Sequence, residues 1–185
     1  VVRMLEDSGA VLLGKLTLGA LAYGDIWFGG KTKNPWKIDQ GSSGSSSGPA
    51  AASVAGLAGF CIGSETMGSI VSPSLRCGAA GLRPSFGMVP RTGAMSLSWS
   101  YDKLGPICRR VDDLGFVLEA IAGTDSDDPG SRHIPFAWDP DHPVEGMKIG
   151  FNPEWFAEHT ALLEKISGAL TAAGIKMVEL KLPEL

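Results

Sequence analysis

The feature that most constrains this chain is an unbroken Gly/Ser tract, residues 41–48 (GSSGSSSG), followed at once by a run of small residues over 49–60 (PAAASVAGLAGF). Glycine reaches backbone conformations closed to other residues, and small side chains let another backbone come close. Pro49 suits the first turn of a helix over 49–60. Three readings of the tract compete. A flexible linker would join independent domains, yet no independent domain precedes it. A phosphate loop would need Gly-Lys-Ser/Thr, which does not follow. A nucleophile elbow fits Gly44-Ser45-Ser46-Ser47-Gly48 around Ser46, but an elbow needs a buried strand before it, and residues 35–40 are polar. The tract is well suited to bring backbone amides and several hydroxyls close to a bound group, where hydroxyls can relay a proton.

A second serine-bearing turn, Thr66-Met67-Gly68-Ser69-Ile70, lies 24 residues later by the count from Ser45 to Ser69 and follows an apolar strand candidate at 60–62. Backbone N–H groups in such a turn can hold the oxyanion of a tetrahedral intermediate, a contribution of roughly 3–4 kcal/mol per donor. Taken alone, the turn also fits an ordinary loop serine.

The rest of the chain narrows the class. A net charge of −4 with no basic stripe argues against direct nucleic-acid binding, and no apolar run reaches the length of a membrane span. Three cysteines (Cys61, Cys77 and Cys108) in apolar surroundings and without CxxC spacing speak against a disulfide framework or a zinc site. No metal or organic cofactor is implied, and a cytoplasmic location is expected. Periodicity predicts a helix near 1–8 running into a short buried strand at 10–13, and loop over 15–40 and 63–81. Beyond these come a helix over 111–122, a polar connection over 124–146, and a strand–helix–strand unit at 148–151, 153–173 and 175–182. The start at Val1 and the strand-like end at 179–185 read as cuts in a longer chain.

Several ordered motifs carry a resemblance. Gly9-Ala10-Val11 with Gly14-Lys15, Asn34-Pro35-Trp36, the Gly/Ser tract, the Gly-Ser-Ile turn, Cys77-Gly78 with Gly81-Leu82-Arg83-Pro84, and Asp102 with Leu104-Gly105-Pro106 lie in order across residues 10–125. Together with the helix that closes this stretch, they resemble the amidase signature family. The resemblance implies an α/β fold with a mixed β-sheet core covered by helices, here as one incomplete domain over 1–185: a signature core at 10–125 and a weakly matched continuation at 126–185.

The resemblance further implies hydrolysis of a non-peptide C–N amide bond by a Ser-cis-Ser-Lys triad through a serine acyl-enzyme. The family's nucleophile falls on Ser69. Its bridging serine, which precedes a cis peptide in the family, falls on Ser45 by ungapped alignment. Its oxyanion hole falls on the amides of Thr66, Met67, Gly68 and Ser69. The family's lysine has no counterpart in the chain: Lys15 matches a different family position, and Lys31, Lys33 and Lys37 are loop residues. Little hydrolysis is therefore expected of this chain alone. The expected partner is a small-molecule amide, and assembly is expected through either a second copy or a partner subunit. The rivals are an A-type subunit of a glutamine-dependent amidotransferase, a serine esterase using Ser46, and an inactive fragment.

Met67 and Ser47 stand where many members have glycine, and Val71 where many have arginine. Asp102 and Arg109 are expected to brace loops, Trp99 and Tyr101 to pack in the core, and His133, His142 and His159 to lie on the surface.

Overall fold

The structure is a computed structural model and describes residues 1–181. It divides into two compact units, Val1–Trp138 and a second from Asp139 onward.

The first unit opens with helix α1 (Val2–Asp7) and a 3-10 turn at Ala20–Ala22. The predicted strand at 10–13 does not form. Val11, Leu12 and Leu13 are exposed, and no described backbone pairs with them, so the apolar run lacks the ladder partner a strand requires. Residues 15–40, expected as loop, contain two short antiparallel ribbons. One pairs β1 (Ile26–Trp27) with β2 (Gly30–Lys31), and the other pairs β3 (Lys33–Asn34) with β4 (Lys37–Gly41). The second ribbon turns on the Asn34-Pro35-Trp36 motif. The Asn34 carboxamide accepts the Trp36 N–H at 3.0 Å, a local turn bond.

The Gly/Ser tract then leads into helix α2 (Ser47–Val54), which is short and almost wholly buried. Its small residues explain the burial. A Cβ on Gly48 would stand 2.6 Å from the Thr17 backbone, and the Ser53 hydroxyl donates to the Ile107 carbonyl at 2.8 Å. Strand β5 (Phe60–Glu65), helix α3 (Val71–Cys77), strand β6 (Ala80–Gly81), strand β7 (Lys103–Cys108) and helix α4 (Val111–Ile121) follow. The ribbon of β3 and β4 docks on the end of α3. Asn34 Nδ2 donates to the Arg76 carbonyl at 2.9 Å and Trp36 Nε1 to the Cys77 carbonyl at 2.7 Å, which satisfies carbonyls that a helix end leaves free.

The three-stranded sheet has the order β5-β7-β6 and is antiparallel. Side chains alternate across it. Ile107 points to one face, where it packs with Ala50 and Val54 of α2 and with Ile70 and Cys77. Cys108 points to the other, against Leu114 and Val117 of α4. Helices therefore cover both faces of the sheet. α4 buries Leu114, Val117, Leu118 and Ile121, each worth about 1.5–3 kcal/mol, while Val111, expected on the same face, is exposed.

The second unit is a parallel pair, β8 (Lys148–Phe151) and β9 (Lys176–Glu179), joined through a 3-10 turn at Pro153–Phe156 and helix α5 (Thr160–Ala172). The predicted strand–helix–strand is present, with its helix starting seven residues later than the expected 153, at Thr160. The expected extension of the last strand to Leu182 falls partly outside the described residues, as does the reading of the end over 179–185.

Candidate active site

The two serine-bearing segments meet. The Ser46 N–H donates to the Ser69 carbonyl at 3.0 Å, and the Gly19 N–H donates to the Ser45 carbonyl at 2.9 Å. The peptide bond between Gly44 and Ser45 is cis, so the cis bond lies before Ser45 and not after it as expected. Close approach is built into the tract, since a Cβ on Gly44 would run into the Gly24 carbonyl. Ser45 and Ser69 both line one cavity of about 210 Å³, together with Ser64, Thr66, Arg91, Asp102, residues 92–97 and Trp99. Among the described residues, neither Ser45 nor Ser69 has its hydroxyl engaged by another group.

Ser46 differs. It is fully buried, its hydroxyl donates to the Ser64 carbonyl and accepts the Ser64 N–H, both at 3.0 Å, and it does not line the cavity. That hydroxyl is committed to fixing the tract on β5. The esterase reading, which needs Ser46 exposed at an elbow, fails on this geometry.

The turn at 66–69 is held by a residue that lies outside the serine motifs. Glu65 ends β5 with a fully buried side chain. Its Oε2 accepts the N–H groups of Ile70 and Val71 at 2.8 and 2.9 Å, and its Oε1 accepts Arg83 at 3.1 Å. Burial alone would raise its pKa, but these bonds and the Arg83 charge outweigh burial and hold the carboxyl below its ordinary value. With both ends of the turn fixed, the N–H groups of Met67, Gly68 and Ser69 donate to nothing among the described residues. Gly68 has φ 114°, a conformation that favours glycine. Met67 is 86% exposed, so its side chain leaves the cavity free, and Val71 is exposed as well. Ser47 uses its extra hydroxyl to donate to the Thr17 carbonyl at 3.3 Å.

Asp102 does brace loops. It accepts Thr66 Oγ1 at 2.6 Å, Ser96 Oγ at 3.1 Å, and the N–H groups of Leu97 and Ser98 at 2.7 and 2.9 Å. Burial works against its charge, but these bonds prevail and keep its pKa low. Arg91 and Asp128, which no sequence motif marks, form a nearly buried ion pair at 3.1 Å beside the cavity. Phe86 lies under the Arg91 guanidinium at 4.7 Å. Trp99, expected in the core, is exposed and lines the cavity, and Tyr101 is also exposed. Arg109, expected to brace a loop, is exposed and lines a separate groove.

The remaining candidates have no place in the site. Lys15, Lys31, Lys33 and Lys37 are exposed, and no lysine among the described residues lines the cavity. Lys103 Nζ donates to the Thr66 carbonyl at 3.3 Å, behind the turn. All three cysteines are buried; burial first, then Asp113 and Cys61, push the Cys108 thiol up to about 12, so it stays protonated. His133, His142 and His159 are exposed, and the described residues hold no cluster with metal-ligand character.

Comparison with known proteins agrees with this architecture. The chain is 39% identical over 197 aligned positions to the A-type subunit of the glutamyl-tRNA(Gln) amidotransferase of Moorella thermoacetica, covering 99% of this chain and 40% of that protein. The peptide amidase of Stenotrophomonas maltophilia superposes with a TM-score of 0.86 at 39% identity, covering 98% of this chain and 41% of that one. The A-type subunit of the glutamyl-tRNA(Gln) amidotransferase of Thermotoga maritima superposes with a TM-score of 0.85 at 33% identity, covering 98% of this chain and 42% of that one. The chain thus spans about 40% of the length of the curated relatives it matches. Since the family model described as Amidase matches residues 1–185, continuously through the stretch where motifs are sparse, the chain belongs to the amidase signature family.

Proposed function

We propose that the protein hydrolyses a C–N amide bond through an acyl-enzyme on Ser69. The observation that carries this reading is the cavity shared by Ser69 and Ser45, whose hydroxyls, like the N–H groups of Met67, Gly68 and Ser69 beside them, meet no partner among the described residues. A serine hydroxyl is a weak nucleophile until a base takes its proton. In this reading Ser69 Oγ attacks the amide carbonyl carbon and passes its proton to Ser45. Ser45 passes its own to a neutral lysine supplied from outside these 185 residues. The negative charge that develops on the carbonyl oxygen is met by the amides of the turn, Thr66 through Ser69. The relay then returns a proton to the departing amine or ammonia, and water releases the acyl group from Ser69. No metal or organic cofactor takes part in these steps.

The test is exposure of the intact protein to a fluorophosphonate, followed by peptide mass spectrometry. The adduct is expected on Ser69 and absent from Ser69→Ala. An adduct on another serine, or full amidase activity in Ser69→Ala, would overturn the reading. Ser69→Ala is expected to lose on the order of 10⁴-fold or more in kcat, and Ser45→Ala roughly 10²–10⁴-fold.

A second reading is favoured by the curated relatives. Those at 35–39% identity are A-type subunits of glutamyl-tRNA(Gln) amidotransferases. In that case the ammonia released at Ser69 would pass to a second active site in a partner subunit. The two readings separate on whether the intact protein, purified alone, turns over amides at the same rate as when it is co-expressed with candidate partner subunits.

A further inference from the structure

The cavity is built from two segments far apart in the chain: the serine turn at 66–69, and a wall over 91–99 that carries Leu97 and Trp99. Asp102 bonds to both. Its Oδ1 accepts the Thr66 hydroxyl at 2.6 Å, while its Oδ2 accepts Ser96 Oγ and the N–H groups of Leu97 and Ser98. The wall is fixed again from behind. Arg91 donates to the Trp99 carbonyl at 2.8 Å and to the Asp102 carbonyl at 3.4 Å, and is itself locked to Asp128. The wall can therefore keep its shape without Thr66. The Thr66 hydroxyl is the side-chain group through which Asp102 ties that wall to the turn, beside the bond of Lys103 to the Thr66 carbonyl.

We propose that Asp102 is a positioning residue that sets the serine turn against the substrate-binding wall through the hydroxyl of Thr66. This inference rests on the reading of Ser69 as nucleophile. An amide lying against Leu97 and Trp99 must present its carbonyl carbon to Ser69 Oγ and its oxygen to the turn amides at once. A shift of about 1 Å between wall and turn spoils that alignment and can cost roughly a hundredfold in rate. A carboxylate fits the task because its two oxygens accept four donors here. An asparagine could keep the wall bonds on its oxygen and donate to the Thr66 hydroxyl from its amide, so alanine is the substitution that removes the group.

Steady-state kinetics on the intact protein test this with an amide it hydrolyses, alongside the rate of fluorophosphonate labelling at Ser69. Thr66→Val removes the link and leaves the wall's own bonds. It is expected to lower kcat about 10- to 100-fold with KM within about twofold, and to slow labelling in parallel. Thr66→Ser, which keeps the hydroxyl, is expected to restore kcat to within about threefold. Asp102→Ala is expected to lower kcat and raise KM, because the wall loosens too. The double variant Thr66→Val/Asp102→Ala should have a kcat no lower than Asp102→Ala, since both changes cut one link. A Thr66→Val enzyme with wild-type kcat and labelling, or losses that multiply in the double variant, would overturn the proposal. Should Asp102→Ala fail to fold, the Thr66→Val and Thr66→Ser pair decides alone. Ser69→Ala keeps the two proposals distinct: if it retains turnover the nucleophile reading falls, whereas an unaffected Thr66→Val beside an inactive Ser69→Ala removes only the positioning role.

Discussion

Glu65 places a full charge inside the molecule and commits it to two backbone N–H groups and one arginine. A buried acceptor of this kind is costly to lose, because its donors are then left without partners. Glu65→Gln is expected to destabilise the intact protein by about 2–4 kcal/mol at pH 7, read from urea unfolding. The pH dependence has a definite sign. Glu65 has a folded pKa below its ordinary value of 4.5, so its contribution is complete above 4.5 and is lost as pH falls through the lower folded value. Asp102 and Asp128 are lowered as well and add to the same acid-side loss. Unfolding free energy measured from pH 7 down to pH 3 should therefore fall below about pH 4.5, and fall less steeply in Glu65→Gln; equal slopes in the two proteins would contradict the assignment. That Ser45 and Ser69 line one cavity was expected from the ordered family motifs and not from the spacing of either turn, which alone also fits an ordinary loop serine. Glu65 was not legible, because its role depends on Arg83 and on the start of α3, partners that only the folded chain brings together.

Between β5 and the Gly/Ser tract the fit is set by the absence of a side chain. A Cβ on Gly63 would lie 2.8 Å from Ser46 Oγ and 2.9 Å from Ile107 Cδ1. Neither neighbour can move freely: Ser46 is bonded twice to Ser64, and Ile107 is fully buried in the central strand. Gly63→Ala is therefore expected to cost about 1–3 kcal/mol in thermal unfolding and to slow fluorophosphonate labelling at Ser69, because the tract must shift. Wild-type stability together with wild-type labelling would show that the contact is not tight. The same elements show which parts of the fold a sequence reveals. α4 was legible because four buried residues recur at helical spacing and two aspartates stand in its first turn. β7 was not, because Lys103-Leu104-Gly105-Pro106 has the composition of a turn. The structure accommodates Pro106 in the central strand because its carbonyl, accepting the Leu82 N–H at 3.0 Å, lies just past the end of β6. In an antiparallel strand a residue's N–H and carbonyl face the same side, so the donor that proline lacks falls where the β6 pairing has already stopped. α3 was hidden for a similar reason: Pro73 sits in its third position, inside the first turn, where no N–H bond is needed.

At the scale of the whole chain, apolar surface is the dominant fact. Hydrophobic residues make up 44% of the sequence, yet Phe28 and Met95 are fully exposed, and Val11, Leu13 and Leu57 are more exposed than not. The unit from Asp139 onward has no buried residue among those described. Ile149 of β8, Leu162 of α5 and Val178 of β9 are all exposed there. A parallel pair of strands with one helix has no second layer to cover its other face, whereas parallel sheets elsewhere are covered on both. Scattered apolar residues on a surface need no explanation, but this many on one short chain mark surfaces that associate. The 185-residue chain, purified alone, is therefore expected to bind an apolar dye such as ANS strongly and to self-associate in sedimentation velocity. A version lengthened by the segments that relatives carry beyond the matched 40% is expected to do neither. A dye-silent, monodisperse 185-residue chain would mean that these faces are less exposed than the structure has them. The prediction bears on catalysis too, since the cavity holding Ser45 and Ser69 has no lysine among its described lining residues. Amide turnover should then track the lengthened version and be lacking in the short one. Turnover by the short chain equal to that of the long one would require a proton acceptor within these 185 residues, and would put Lys103, behind the turn at the Thr66 carbonyl, first in line for Lys→Met substitution.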